Sequence, residues 1–300
     1  MPSDVLSVRA SDRLLGCASS PDDATIDVVT TEGTPTNPWP GMFESIAEQY
    51  DQSGVPWFQP IARVLVDLLG PQPGERFLEL GSGRGAATVP LAEALGPDGR
   101  VDALDIAPSM VRLLQEDLAR SGVSNARVAV GDAADPRPPD TAYDGIVGSL
   151  VLFFVPDPAA ALSRWHDHVR PGARVGIATF PVPTGRFAEL LALVVAFAGE
   201  APSPRGETPF DSDEGVEDLF TRAGFVGARS TTVTHVVPFT DAGQWQAWTM
   251  GTALRRIWSD TDPDRHPEIL RRAEEILGRQ RDDQGRITID VPIRYTLAVG

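Results

Sequence analysis

Between residues 60 and 180, short apolar runs alternate with stretches whose apolar residues recur at helical spacing. RFLEL (76–80), RVDALDI (100–106), ARVAVGD (126–132), YDGIVGSLVLFF (143–154) and ARVGIATF (173–180) read as strands. PIARVLVDLLG (60–70) carries a helical apolar stripe, and residues 86–95 read as a helix with Pro90 near its first turn. PSMVRLLQEDLARSG (108–122) opens on a proline and stops at Gly122, and Asp157 caps PAAALSRWHDHV. Strands separated by helices in this way imply a parallel sheet covered on both faces. After Phe180 the rhythm changes. RFAELLALVVAFAG (186–199) is an apolar helix outside the alternation, SDEGVEDLFTRAG (212–224) returns to the sheet, and ARSTTVTHVVPF (228–239) is a strand. Residues 241–282 read as helical, with Glu268/Arg272 and Glu275/Arg279 as solvated pairs, and RITIDVPIRYTLAVG (286–300) closes as a strand. The segments 39–70, 184–210 and 241–282 are therefore expected to cover one end of the sheet within a single domain spanning 39–300. Residues 1–38, rich in Ser, Thr, Asp and Pro, are expected to be a disordered tail.

Composition removes several function classes. The formal net charge of −16 opposes a nucleic-acid partner, whose phosphates are held mainly by cations. Every basic side chain other than histidine is an arginine, so Schiff-base lysine, P-loop lysine and Tyr-x-x-x-Lys chemistry are absent. Cys17 is the only cysteine, which rules out an internal disulfide and a cysteine zinc site and suits a cytoplasmic setting. No signal peptide is visible, and the apolar runs at 147–155 and 188–198 are too short to span a bilayer, which takes about 20 residues.

Chemistry concentrates at FLELGSGRGAAT (77–88), where Gly81, Gly83 and Gly85 fall within five positions between a strand and a helix. Such a turn offers free N–H groups and the positive end of a helix dipole. G-x-G-x-x-A is by itself a weak signal shared by many nucleotide-type ligands. Its neighbours sharpen it. Glu79, near the strand end, would repel a pyrophosphate but suits a cationic amino group. Asp105 ends the second strand 24 residues after Gly81, where an acid grips ribose hydroxyls. Asp132, after the third strand, can accept from an adenine amino group. The ligand these residues describe is an adenosine with a positive, amino-acid-like tail and no phosphates, which fits S-adenosylmethionine.

On FLELGSGRG (77–85), VDALDIAPSMV (101–111), GDA (131–133), YDGIVGSLVLFFVPDP (143–158), HVRPGARV (168–175) and the F-x₆-YD segment MFESIAEQYDQ (42–52), the sequence resembles the class I S-adenosylmethionine-dependent methyltransferases. Within them it is similar to the small-molecule branch of ubiquinone/menaquinone C-methyltransferases, over roughly 42–180. The resemblance implies an α/β, doubly wound, Rossmann-like sheet of seven strands whose last strand is antiparallel. It also implies S-adenosylmethionine as cofactor, S-adenosylhomocysteine as product, and cofactor contacts from Tyr50, Gly81, Gly83, Asp105, Ile106, Asp132, Ala133, Ser149 and Leu150. Glu79, Ser82, Met110 and Gly131 complete the expected cofactor set. PGARV has alanine where a second glycine is usual, and residues 184–282 match loosely, which leaves the substrate open.

Methyl transfer from a sulfonium is an in-line displacement in which alignment and exclusion of water are the protein's main contributions. The absence of a Ser-His-Asp set, an HExxH motif or a metal cluster in the sequence agrees with that chemistry. His235, in a strand beside the cover, is the candidate base, with Tyr50 as a second candidate catalytic residue. Phe43, Trp57, Phe154, Phe180, Phe187, Trp245 and Trp248 are expected to line an apolar substrate pocket. The function expected is C- or O-methylation of a small, largely apolar specialised metabolite, with no metal, nucleic acid or membrane involved and homodimer formation open. Competing readings are a cofactor bound but not consumed during a rearrangement or cyclisation, a nicotinamide oxidoreductase, and a non-catalytic binding protein.

Overall fold

The computed structural model describes residues 39–197 and 208–300; the expected N-terminal tail and residues 198–207 of the 184–210 cover segment lie outside them. Seven strands form one sheet: β1 (Arg76–Leu80), β2 (Arg100–Asp105), β3 (Ala126–Val130), β4 (Tyr143–Ser149), β5 (Val169–Thr179), β6 (Val226–Phe239) and β7 (Ile287–Val299). Their order is β3-β2-β1-β4-β5-β7-β6, with the β3-to-β5 pairs parallel and β7 antiparallel to both neighbours. This is the Rossmann-like arrangement with an antiparallel last strand that the sequence predicts. β1 pairs with β2 on one side and β4 on the other, so the strand order reverses at β1. In open α/β sheets the crevice at that reversal is where ligands bind.

The helices sort onto two faces by their apolar stripes. On one face Ile61, Leu65 and Leu69 of α2 (Phe58–Leu69) and Leu91 and Leu95 of α3 (Thr88–Leu95) join Phe77, Val101 and Val147 in the larger core. On the other, Leu162 and Trp165 of α5 (Pro158–His166) and Val216, Leu219 and Phe220 of α7 (Asp213–Arg222) pack on Leu78, Ile146 and Ile177. Asp157 caps α5 by accepting the Ala160 N–H at 2.9 Å, as its position in the sequence predicts. A third cluster joins α1 (Trp39–Ile46) to α4 (Pro108–Ser121) through Ile46, Ala47, Met110 and Leu113.

Three local differences from the sequence reading have physical causes. The fourth strand stops at Ser149 rather than running to Phe154; Leu150 takes φ 56°, and a 3-10 turn follows at Leu152–Phe154. Apolarity alone cannot tell a strand from the buried turn after it. α2, within the expected cover segment 39–70, lies along β4 and β5 as a layer helix. Arg279 pairs with Glu189 of α6 (Gly185–Phe197) at 2.6 Å instead of with Glu275, which meets Arg271. That bond ties α10 (His266–Leu277) to α6.

The cover is anchored on an extension of the sheet. β7 pairs with β5 only from Arg294 onward, and its first half continues past the β5 carboxyl end, paired with β6 up to Phe239↔Ile287. Ile287, Ile289, Val291 and Ile293 on this extension are buried under α6 and α10, while α8 (Ala242–Met250) packs on β6. No helix among the described residues is long and apolar enough to cross a membrane.

Candidate functional site

The glycine turn leaves β1 at Gly81 and enters α3 at Thr88. Gly81 has φ 71° and Gly83 φ 52°, values that L side chains rarely adopt. Space is as restrictive as backbone angle. A Cβ on Gly81 would lie 2.6 Å from Val151 Cγ2, and one on Gly83 3.3 Å from the Tyr50 ring. Tyr50 therefore stands directly against the turn, stacked on Phe58 with ring centroids 4.4 Å apart.

Beneath Tyr50 is a cleft lined by Tyr50, Asp51, Phe58, Glu79, Gly81, Ser82, Arg84, Ala86, Ala87 and Ser149. Of the expected cofactor residues, Tyr50, Glu79, Gly81, Ser82 and Ser149 are thus brought to one place. Glu79 is buried and accepts the Thr88 hydroxyl at 2.5 Å. Burial pushes its carboxyl up to about 8, the Thr88 bond opposing and the nearby Asp105 adding to the rise. Asp105 accepts the Gly83 N–H at 2.7 Å and the Ala107 N–H at 2.9 Å. Burial still raises its pKa, against the pull of those two bonds.

The remaining expected residues continue around the same strand ends. Gly131 donates its N–H to the Asp105 carbonyl at 2.9 Å, so the β2 and β3 ends are held together. Asp132 accepts the Ala134 N–H at 2.8 Å, an Asx turn that fixes its side chain. Ala133 gives its carbonyl to the Trp165 indole at 2.7 Å. Ile106 is half-buried at the start of the β2–α4 loop, and Met110 is buried against α1. Leu150 donates its N–H to Ala178 O at 3.0 Å, which fixes the β4 end against β5.

Helix α1 is fastened over this region by polar contacts to α4. Glu44 accepts the Ser109 N–H at 2.9 Å and its hydroxyl at 2.5 Å, Arg112 meets Glu48 at 2.7 Å, and Arg84 on the turn itself bonds Asp117 at 2.7 Å.

The aromatic residues form a chain of ring contacts. Phe154 meets Trp39 at 4.8 Å, Phe43 at 5.1 Å and Phe153 at 4.5 Å. Phe153 leads to Phe180 at 5.5 Å, and Phe180 to Trp57 and Phe187, each at 6.2 Å. Trp57 reaches Trp248 edge-on at 5.1 Å and Phe58 at 6.4 Å, which returns the chain to Tyr50. Phe43, Trp57, Phe154, Phe180, Phe187 and Trp248 are all on it. Trp245 instead pairs with Trp258 at 5.9 Å, toward α9 (Arg255–Asp260). His235 is apart from the cleft: it shares a 2.7 Å hydrogen bond with the Tyr295 hydroxyl, which also lies 3.2 Å from Ile61 O, and burial lowers its pKa. The sequence singled out neither Asp51 nor Arg84 as a site residue, although the first is the acid of the YD pair and the second lies within the glycine turn itself.

The cleft fits S-adenosylmethionine on its own chemistry. Ser82 is 3% exposed and its buried Oγ has no hydrogen-bond partner, an arrangement that costs about 1–3 kcal/mol unless a ligand supplies one. Buried carboxyl groups suit a cation, since Arg84 on the same wall is already paired with Asp117, and Asp105 ends β2 as the acid expected to meet a ribose.

Comparison with known proteins agrees. A methyltransferase domain model matches residues 77–172. Nocamycin O-methyltransferase of Saccharothrix syringae is 34% identical over 269 residues, covering 85% of this chain and 95% of that protein. Aklanonic acid methyltransferase of Streptomyces sp. strain C5 is 39% identical over 140 residues, 47% of this chain and 63% of that one. Among solved structures, Haemonchus contortus phosphoethanolamine N-methyltransferase 2 in complex with S-adenosyl-L-methionine superposes with a TM-score of 0.51 at 15% identity, over 88% of this chain and 57% of that chain. The glycine turn, the acid at the end of β2, the antiparallel β7 and a relative matched along nearly its whole length place this chain in the family of S-adenosylmethionine-dependent methyltransferases.

Proposed function

We propose that this enzyme methylates an oxygen atom of a small, largely apolar specialised metabolite held against the aromatic chain from Phe43 to Trp248. The observation that carries the reading is that chain, which runs from the N-terminal segment through the β4 and β5 ends to α8 and returns to the cofactor cleft at Tyr50. The S. syringae O-methyltransferase supports it, because its match extends over 85% of the chain and so beyond the cofactor-binding half.

S-adenosylmethionine, when bound, supplies an activated methyl group on sulfur. Asp105 would hold the ribose hydroxyls, Asp132 and Ala133 would flank the adenine, and Glu79, Gly81 and Ser82 would hold the methionyl end. Tyr50 and Phe58 would close over it and offer ring faces to the positive charge. Trp57, Phe180 and Phe187 would orient the acceptor and keep water out, the contribution that in-line displacement most needs. His235 shares its hydrogen bond with the Tyr295 hydroxyl, and no histidine is among the residues lining the cofactor cleft. The acceptor best served is therefore an oxygen that ionises readily by itself, such as a carboxyl, an enol or an acidic phenol, which needs no strong base.

The test is to incubate the enzyme with S-adenosylmethionine and a panel of polycyclic phenols, enols and carboxylic acids that includes aklanonic acid. Products are read by mass and S-adenosylhomocysteine by chromatography. Expected is a gain of one CH₂ on oxygen, matched mole for mole by S-adenosylhomocysteine. Methylation at carbon or nitrogen would refute the oxygen assignment. Substrate conversion without S-adenosylhomocysteine would instead indicate rearrangement.

A further inference from the structure

The YD pair of the N-terminal segment ends on Asp51, on the wall of the cofactor cleft. It follows Tyr50 and adopts φ 59°, the left-handed region in which non-glycine residues are uncommon and Asp or Asn are the usual exceptions. That turn sets a half-buried carboxylate on the wall of the same cleft as Glu79 and Ser82. No hydrogen bond to this carboxylate is found among the described residues.

The other charged groups around it are already engaged. Arg84, the cation nearest to Asp51, is held by two bonds to Asp117 and a third to Ala47 O. Asp105 gives both oxygens to backbone N–H groups, Glu44 near it is committed to Ser109, and the Tyr50 phenol is kept neutral by burial. The Asp51 carboxylate, the unpartnered Ser82 hydroxyl and the Glu79 carboxyl, one oxygen of which takes the Thr88 hydroxyl, thus line one cleft. A sulfonium has no N–H and would use none of them as hydrogen-bond acceptors. A primary ammonium has three donors and would use all three.

We propose that Asp51 is a cofactor-binding residue that closes, with Glu79 and Ser82, a three-acceptor clamp on the α-ammonium group of S-adenosylmethionine. Glu79 approaches from β1, Ser82 from the glycine turn and Asp51 from the N-terminal segment, so binding also fastens that segment to the sheet. The inference rests on cofactor binding alone and not on the methyl acceptor, so failure to find a methylated product leaves it standing. Burial lifts Asp51 to about 6 and Glu79 to about 8. A bound ammonium favours both charged forms, so cofactor binding near neutral pH releases protons to solvent.

The test is titration calorimetry of wild type and Asp51→Asn with S-adenosylmethionine, with S-adenosylhomocysteine and with the homocysteine analogue lacking its amino group, at pH 6, where Asp51 is about half protonated, in two buffers of different ionisation enthalpy. Asparagine tolerates the left-handed backbone, and a melting curve of the ligand-free variant checks its fold. Expected is a loss of about tenfold or more for both amino-bearing ligands equally, as for a hydrogen bond to a charged group. Fewer protons should be released by the variant, and the deaminated analogue should bind both proteins alike. Unchanged affinity for both nucleosides, or a loss confined to S-adenosylmethionine, overturns the proposal. The wild type alone also decides: equal proton release with and without the ligand amino group refutes the clamp even where Asp51→Asn does not fold.

Discussion

Replacing Glu79 by glutamine makes the charge logic of the cleft measurable in the ligand-free enzyme. Glu79 is 2% exposed, and its carboxyl is raised from 4.5 to about 8. Between these values the folded protein keeps a proton that the unfolded chain has released. Stability then falls as pH rises, by up to about 1.36 kcal/mol for each pH unit. The contribution is fully present below about pH 4.5 and lost by about pH 8, a total on the order of 5 kcal/mol. Glutamine has the same shape, can still accept the Thr88 hydroxyl and carries no charge at any pH. Urea unfolding of both proteins from pH 5 to 8.5 should give a stability difference that grows with pH in favour of Glu79→Gln, all other titrations cancelling. Saturating S-adenosylhomocysteine should flatten the wild-type curve, because a bound ammonium stabilises the ionised carboxylate. The variant should bind that ligand at least about tenfold more weakly. A stability difference independent of pH across this window would refute the claim that Glu79 is an uncompensated buried acid.

Other substitutions probe neighbouring parts of the site. Gly81→Ala forces a Cβ to within 2.6 Å of Val151 at φ 71°; thermal melting should show a loss of about 2 kcal/mol or more, with cofactor binding abolished. Asp105→Ala unpairs the Gly83 and Ala107 N–H groups and removes the acid proposed to hold the ribose; calorimetry should show S-adenosylhomocysteine affinity reduced by about a hundredfold. Trp57→Ala removes the ring that links Phe180 to Trp248 and Phe58. It should raise the acceptor KM by about tenfold or more while leaving S-adenosylhomocysteine affinity within about threefold, and an equal loss on both would place Trp57 in the cofactor site instead. Glu44→Ala frees the Ser109 N–H at the start of α4 and should speed proteolysis within 39–56 in the ligand-free enzyme, an effect that cofactor suppresses.

The cofactor half of the molecule was legible because each part has a local signature: Gly81 and Gly83 need conformations that other residues resist, and Asp105 must end a strand at a fixed distance along the chain. The cover was less legible because its geometry comes from long-range pairing. Nothing in RITIDVPIRYTLAVG marks Arg294 as the point where β7 leaves β5, yet that register lifts Ile287–Ile293 above the strand ends and gives α6 and α10 their floor. His235 shows the same limit. Its place in a strand beside the cover made it the candidate base, but which neighbour it meets is set by β6–β7 register, and that register brings it within hydrogen-bond reach of Tyr295. The aromatic side chains were legible as a group and not one by one, since Trp245 and Trp248 lie less than one helical turn apart and face different partners. Asp51 stands between these cases. Its neighbour Tyr50 draws attention to the segment, but the left-handed backbone that sets its carboxylate on the cleft wall has no glycine to announce it. An aspartate accepts that strain at about 1–3 kcal/mol, a cost that a ligand contact would offset and that solvent alone would not. Asp51→Gly should accordingly stabilise the ligand-free fold while weakening cofactor binding, and a variant that gained in both would remove the reason for the aspartate being there.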